Sequence, residues 1–325
     1  MDAAPSTLQE AILFFDKPEN CHAFIMALRW PDGLVKCPRC GSDKVIYLPN
    51  AKVFKCFETH ARQKFSLKVG TIFEDSPIPL AKWLPVMWLL VNCKNGVSSW
   101  EIHRSIGVTQ KTAWFMLQRA RLAMQDDLTG GSLSGEVEVD ESFIGGKVRN
   151  MHKDRKRKAQ MQHRNTGNKT IVLGMLERAT EKKPKRVAPR SFVIAPKLSM
   201  QPEVLGNVER GSQIHSDEAA DNWRMDNDYE HNIVNHLRQY VNGNVHTNGL
   251  ENFWSLLKRG IGGTYIAVEP FHLFRYVDEQ AFRYNNRQDM NDSDRFIAVM
   301  KQVVGRRLTY KELTGKTEQP GAEIF

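Results

Sequence analysis

Long apolar runs are missing from this 325-residue chain. No stretch approaches the roughly 18 residues that a membrane span requires, so no membrane partner is expected. The first residues, Met-Asp-Ala-Ala-Pro-Ser-Thr, lack the basic start and apolar core of a signal peptide, and a cytoplasmic location is expected. Cysteine is scarce as well. Five of them, an odd number in a chain this long, do not read as a disulfide framework. Acid is in deficit: 46 Lys and Arg stand against 37 Asp and Glu, a net charge of +9. That balance favours a polyanionic partner, nucleic acid before membrane. The 41% hydrophobic content is that of an ordinary globular protein, and the length suffices for two or three domains.

Three of the cysteines fall in a pattern. Cys37-Pro-Arg-Cys40-Gly41 sets two thiolates two residues apart on a tight turn, the spacing of a zinc knuckle. Cys56 follows after fifteen intervening residues, but position 59, where a second pair would close, is Thr59. His60 is next, so the expected site is a Cys3His tetrahedron of Cys37, Cys40, Cys56 and His60 holding one structural Zn2+. The alternative is an eroded site without metal. Lys44–Leu48 and Lys52–Lys55 read as short strands, and a ribbon this small depends on its metal to fold. Cys21 stands apart in a helical pattern over residues 8–30 and reads as a small buried residue.

Residues 77–128 keep helical spacing. Ser98 to Trp114 resembles a helix-turn-helix: one helix ends near Ser105, Gly107 permits the turn, and Thr109 caps the second helix. Gln110, Lys111, Gln118, Arg119 and Arg121 are then expected to be exposed toward DNA. A plain helical hairpin is the bland reading. Thr129 to Gly135 is a linker.

Composition then changes. Glu136-Val-Glu-Val-Asp140 reads as a strand with Glu136, Glu138 and Asp140 on one face. Burying those carboxylates is costly unless a cation faces them; otherwise they mark a solvated edge. Residues 147–169 carry nine Lys and Arg against Asp154 and are expected to form a mobile basic loop. Thr170–Leu176 and Arg190–Ala195 read as strands, and Ile214 to Asp217 as a strand ending at Asp217. Leu250, Phe253, Trp254, Leu257 and Ile261 make one helical stripe, with Asn248, Glu251, Ser255 and Lys258 on another face. Gly260, Gly262 and Gly263 are expected to stop that helix. Its bland reading is a surface helix whose capping box pairs Asn248 with Glu251. A further helix spans Phe271 to Arg287.

Asp140, Asp217 and Glu251 are three carboxylates of the kind that hold two Mg2+ ions, hard cations that prefer oxygen. Two such ions activate a water or a 3′-hydroxyl and stabilise the leaving oxygen in phosphoryl transfer. Strand, strand and helix is how an RNase H-like domain supplies them.

With these pieces in order, the chain resembles the bacterial insertion-sequence transposases of the zinc-ribbon, ISXO-like group. The resemblance rests on Cys37-Pro-Arg-Cys40-Gly41, Phe65 to Ser76, Val139 to Gly146, His215-Ser-Asp217, His246 to Gly260 and Arg283 to Arg287, which span almost the whole length. It implies an α/β fold: an RNase H-like catalytic domain preceded by a small zinc ribbon and a helical helix-turn-helix region. It implies a DDE-type enzyme that cleaves and joins double-stranded DNA at its element's terminal inverted repeats and in target DNA, as a homodimer or larger assembly. Asp140 and Asp217 are carried over as ligands of catalytic Mg2+ or Mn2+. The third position falls to Glu251 or Asn248, with Glu251 preferred because a charged ligand holds the cation better than an amide. Lys258 matches the family's lysine after the third ligand and can hold a phosphate. Thr59 departs from the pattern and leaves the fourth zinc ligand to His60. The expected division is an N-terminal helical segment (1–30), a zinc ribbon (31–75), a helix-turn-helix region (76–128), the catalytic domain (129–290) and a C-terminal tail (291–325). Two other readings remain open, a transposase-derived DNA-binding regulator that no longer catalyses and a metal-dependent nuclease without strand transfer.

Overall fold

The computed structural model describes residues 5–125, 132–145, 153, 169–180, 186–192, 201–217, 229–234, 246–288 and 290–315. The basic segment between 147 and 168 lies, apart from residue 153, outside the described residues. The chain divides into two compact units, one of residues 1–125 with 289–325, the other of residues 126–288.

The first unit opens with α1 (Leu8–Phe15) and α2 (Pro18–Arg29). The expected single helical stretch breaks because Pro18 has no N–H to donate into the preceding turn and instead occupies the first position of α2. β1 (Val45–Leu48), β2 (Val53–Cys56) and β3 (Lys64–Phe65) form an antiparallel ribbon in that order. Three helices follow: α3 (Leu80–Asn92), α4 (Ser99–Ile106) and α5 (Gln110–Met124). Ser98 and Glu101 form a capping box at the start of α4. Gly107, at φ +63°, ends α4, and the Thr109 hydroxyl accepts the Thr112 amide to start α5.

In the second unit a five-stranded sheet runs in the order β6-β5-β4-β7-β8, built from β4 (Glu136–Ile144), β5 (Thr170–Glu177), β6 (Arg186–Phe192), β7 (Gln213–Asp217) and β8 (Glu230–Val234). β4, β5 and β6 are antiparallel neighbours, whereas β7 lies parallel to both β4 and β8. β6 thus begins earlier than the expected Arg190, in register with all of β5 from Glu177 to Ile171.

Period 2 divides the sheet's two faces. Val137, Val139, Leu173, Met175 and Ile214 pack with Val204 and Val208 on the side of α6 (Gln201–Asn207). Ile144, Val172, Leu176 and Val187 pack under Leu250, Phe253, Trp254 and Leu257 of α7 (Asn248–Gly260) and under Leu273 and Val277 of α8 (Leu273–Asn285). The expected stripe of α7 is therefore its buried side. Its glycines do not stop it: the backbone continues from Gly260 into a π turn over Ile261–Tyr265.

The chain then returns to the first unit with α9 (Asp292–Lys301) and α10 (Tyr310–Leu313). Phe296 of α9 packs within 5.1–5.8 Å of Phe15, Phe24 and Trp88, ring centre to ring centre. The segment expected as a tail is thus part of that unit's core. Among the described residues, no helix is long and apolar enough to cross a membrane.

Candidate functional site

The ribbon gathers the four expected metal ligands. One ligand atom from each of Cys37, Cys40, Cys56 and His60 lies within 4.8 Å of the others. The Cys37 Sγ stands 3.5 Å from His60 Nε2, and the Cys40 and Cys56 sulfurs are 3.6 Å apart. His60 Nδ1 lies 2.9 Å from the Ala61 carbonyl, which accepts its proton in the tautomer that leaves Nε2 bare toward the thiols. That is the outer hydrogen bond a metal-binding histidine needs, so three soft sulfurs and one oriented imidazole fit a tetrahedral zinc. Burial works to raise the Cys37 thiol, but the amides of Arg39 and Cys40 and the thiols of Cys40 and Cys56 outweigh it and bring it to about 7. Cys21 is the contrasting case: burial pushes its thiol up to about 11, and it donates to the Phe15 carbonyl at 3.0 Å.

The helical pair departs from expectation. Gln118, Arg119 and Arg121 are 0%, 4% and 1% exposed, so these three do not face outward. Arg119 donates to the carbonyls of Leu308 and Glu74 and lies over the Phe115 ring. A long stem with a guanidinium satisfied by carbonyls packs where sequence pattern alone assigns a solvated cation. Lys111 is exposed and Gln110 half-buried.

In the second unit, the α7-facing side of the sheet carries a chain of polar contacts. Asp140 is half-buried on β4; its Oδ1 accepts the Glu141 amide at 2.7 Å and its Oδ2 the Trp254 indole N–H at 2.8 Å. Glu138, two residues earlier and 1% exposed, accepts the Leu250 amide at 3.0 Å in the first turn of α7. Two carboxylates thus bind α7 to β4. The cation that sequence reasoning required opposite these acids is Arg178, just past β5. It donates to Glu138 at 3.0 Å, to Glu136 at 2.6 Å and to the His246 carbonyl at 2.6 Å. His215 is buried 3.6 Å from Glu136, and burial, then the Arg178 charge, hold it below the usual histidine range.

Room for this arrangement comes from Gly174, the cross-strand partner of Asp140. A Cβ there would meet the Trp254 ring at 2.6 and 2.9 Å and Leu250 at 2.8 Å.

The β4–β7 register pairs Glu138 with His215 and Val139 with Ser216, so Asp140 and Asp217 come next along adjacent parallel strands. Asp217 ends β7; its side chain lies outside the described part of the structure. Asn248, Glu251 and Lys258 are exposed on α7, and Glu251 is one turn before Trp254. The capping box expected of Asn248 and Glu251 does not form, because α7 begins at Asn248 itself and Thr247 precedes it without a side-chain cap. Arg178, Glu138, His246 and Trp254 escaped sequence reasoning as site residues. The only signal for them was the electrostatic cost of the acidic face of β4.

The chain matches the ISXO2-like transposase domain over residues 132–285 and the transposase zinc-ribbon domain over residues 18–59, so His60 falls one residue past the ribbon match. A protein of Halobacterium salinarum, described as an uncharacterized protein in transposable element ISH50, is 26% identical over 241 residues, covering 71% of this chain and 79% of that protein. No solved structure matches. Ribbon first and transposase domain after it, this chain belongs to the zinc-ribbon insertion-sequence transposases of the ISXO-like group.

Proposed function

We propose that the second unit is an RNase H-like catalytic domain, that Asp140, Asp217 and Glu251 form its active site, and that the protein cleaves and joins DNA at the ends of its own element. The observation that supports this reading is the β4–β7 register, which, continued by one residue, puts the backbone positions of Asp140 and Asp217 on adjacent parallel strands. The mixed sheet, with two antiparallel strand pairs on one side of β4 and two parallel pairs on the other, supports it. Asp140 fits an oxygen-preferring divalent cation: it offers carboxylate oxygens, and the Glu141 and Trp254 N–H groups fix their orientation. Mg2+ or Mn2+ held there would activate the attacking water or 3′-hydroxyl and stabilise the leaving oxygen.

The chain's own residues supply position and charge. Trp254 and Leu250 pin α7 to β4, so the exposed Glu251 is carried on a rigid support. Asn248, one turn earlier on the exposed side, is the other candidate for the third ligand. Lys258 offers a point charge to a backbone phosphate. The ribbon, carrying zinc on Cys37, Cys40, Cys56 and His60, and the α4–α5 pair bind the terminal inverted repeats; Lys111, exposed beside the Tyr310 ring, and Gln110, which donates to Ser99 at 2.8 Å, exchange those contacts for DNA. Pairing two ends requires a homodimer or larger assembly on DNA.

A strand-transfer assay with the element's own ends tests this. Asp140→Asn keeps the shape and removes a charge, so DNA binding survives and cleavage collapses. Glu251→Gln does the same. Near-normal cleavage by Glu251→Gln beside an inactive Asn248→Ala moves the third role to Asn248. Full cleavage by Asp140→Asn refutes the assignment.

A further inference from the structure

Beyond α7 the backbone takes a strained conformation. After the π turn Ile261–Tyr265, Ile266 takes φ 59° and ψ −57°. The Ala267 amide bonds the Tyr265 carbonyl across it at 2.6 Å, so Ile266 is the centre of a γ-turn of the rarer, strained sense. A β-branched residue at positive φ is an outlier, and such strain persists only where the surroundings enforce it. Here they do. Ile261 and Val268 pack against the cluster under α7 and α8. The Tyr265 ring sits 4.8 Å from Tyr276, and its hydroxyl donates to Glu279, which is fully buried and paired with Arg283.

Between these anchors Gly262, Gly263, Ile266 and Ala267 are exposed. Ile266 is 79% exposed, the most of any large hydrophobic side chain described. The strain therefore holds an apolar side chain out in water, where burial returns nothing. The surroundings indicate what covers it. Lys258 and Arg259 are exposed in the last turn of α7, no acid occurs from Lys258 to Val268, and two glycines leave the backbone open to close approach. Cations for phosphates beside a rigid apolar point are the parts with which proteins part stacked base pairs.

We propose that Ile266 is a wedge that enters the base stack of duplex DNA held along α7 and unstacks one step beside the bond to be cut. The proposal rests on the transposase reading above.

The test uses full-length protein and end duplexes in which 2-aminopurine is moved through the terminal base pairs. Wild type and Asp140→Asn raise its fluorescence several-fold at one step. Ile266→Ser and Ile266→Gly lose most of that rise while still binding the duplex, and Ile266→Met keeps it. Ile266→Gly also melts at a higher temperature than wild type, because glycine relieves the γ-turn, so its lost signal is not misfolding. Ile266→Ser cleaves paired DNA slowly and recovers on a duplex mismatched at that step. A fluorescence rise undiminished in Ile266→Gly overturns the wedge. So does a change in self-association alone, seen by sedimentation, which makes the tip a contact between copies. Cleavage by wild type without any fluorescence rise sinks the wedge and leaves the transposase reading standing. Failure of wild type to bind or cleave end duplexes sinks both.

Discussion

Gly174→Ala is a one-carbon change that reaches the candidate active site through packing alone. The added Cβ would lie 2.6 and 2.9 Å from the Trp254 ring and 2.8 Å from Leu250, all inside van der Waals contact. Neither neighbour can yield freely, since Trp254 is 4% exposed and Leu250 fully buried. Relief must come from lifting α7 or turning the indole. Overpacking of this kind costs about 1–3 kcal/mol. Either movement also stretches the 2.8 Å bond from Trp254 to Asp140, and a hydrogen bond to a charged group is worth about 1.5–3 kcal/mol. The two losses overlap, and the expected destabilisation is about 3 kcal/mol. Denaturant titration of the full chain measures it, and end-cleavage rates should fall with it as Asp140 loses its orientation. The cause can be isolated. Trp254→Phe removes the ring edge that the new Cβ meets, so Gly174→Ala should cost at least about 1 kcal/mol less in that background, a non-additivity expected of contacting residues. Equal costs in both backgrounds, or a Gly174→Ala protein as stable and active as wild type, would show that α7 does not rest on Gly174 as argued.

Purified protein should contain one zinc per chain, and Cys56→Ser or His60→Ala should lower that content and loosen the ribbon; equal zinc in His60→Ala excludes His60 as a necessary ligand. Arg178→Met should cost about 3–5 kcal/mol by leaving Glu138 buried and unpaired, and Arg178→Met with Glu138→Leu should recover part of it in the same denaturant titration. His22 packs beside Tyr47 and Phe54, and burial lowers its pKa below the ordinary 6.5. A lowered folded pKa means the unfolded chain binds the proton more readily, so the stability His22 contributes is full above pH 6.5 and is lost as pH falls through the folded value. The stability difference between wild type and His22→Leu should therefore shift in favour of the variant below pH 6.5; a pH-independent difference refutes it.

Local chemistry made much of this legible from the sequence. The Cys-X-X-Cys turn, the Gly107 break, the Thr109 cap and the apolar stripe of α7 each follow from a few neighbouring residues, and each stands where expected. What escaped was set by partners distant in sequence. Arg119 and Arg121 read as solvated because nothing nearby shows what covers them; Arg119 in fact donates to the Leu308 carbonyl, 189 positions away. Arg178 finds Glu138 only through the antiparallel register of β4 and β5, and Trp254 finds Asp140 only because Gly174 leaves space. Helix stops were misjudged for a related reason. Glycine permits a break, but Ile261 and Tyr265 are anchored, so the chain keeps turning through Gly260, Gly262 and Gly263.

The first unit is assembled from two separated stretches, and that fixes an order of events during synthesis. Phe296 completes the aromatic cluster of Phe15, Phe24 and Trp88, the Ile72 amide bonds the Val303 carbonyl, and Arg306 holds the carbonyls of Leu122 and Gln125. None of these partners exists when the ribosome has finished residue 125. At about 5–20 residues per second, roughly ten to thirty seconds pass before Phe296 is made. The ribbon and helices made first thus wait, incomplete, while the whole of the second unit is produced. A chain cut short by early termination carries residues 1–125 of the first unit without α9 and α10, so truncated products lack a finished copy of that unit.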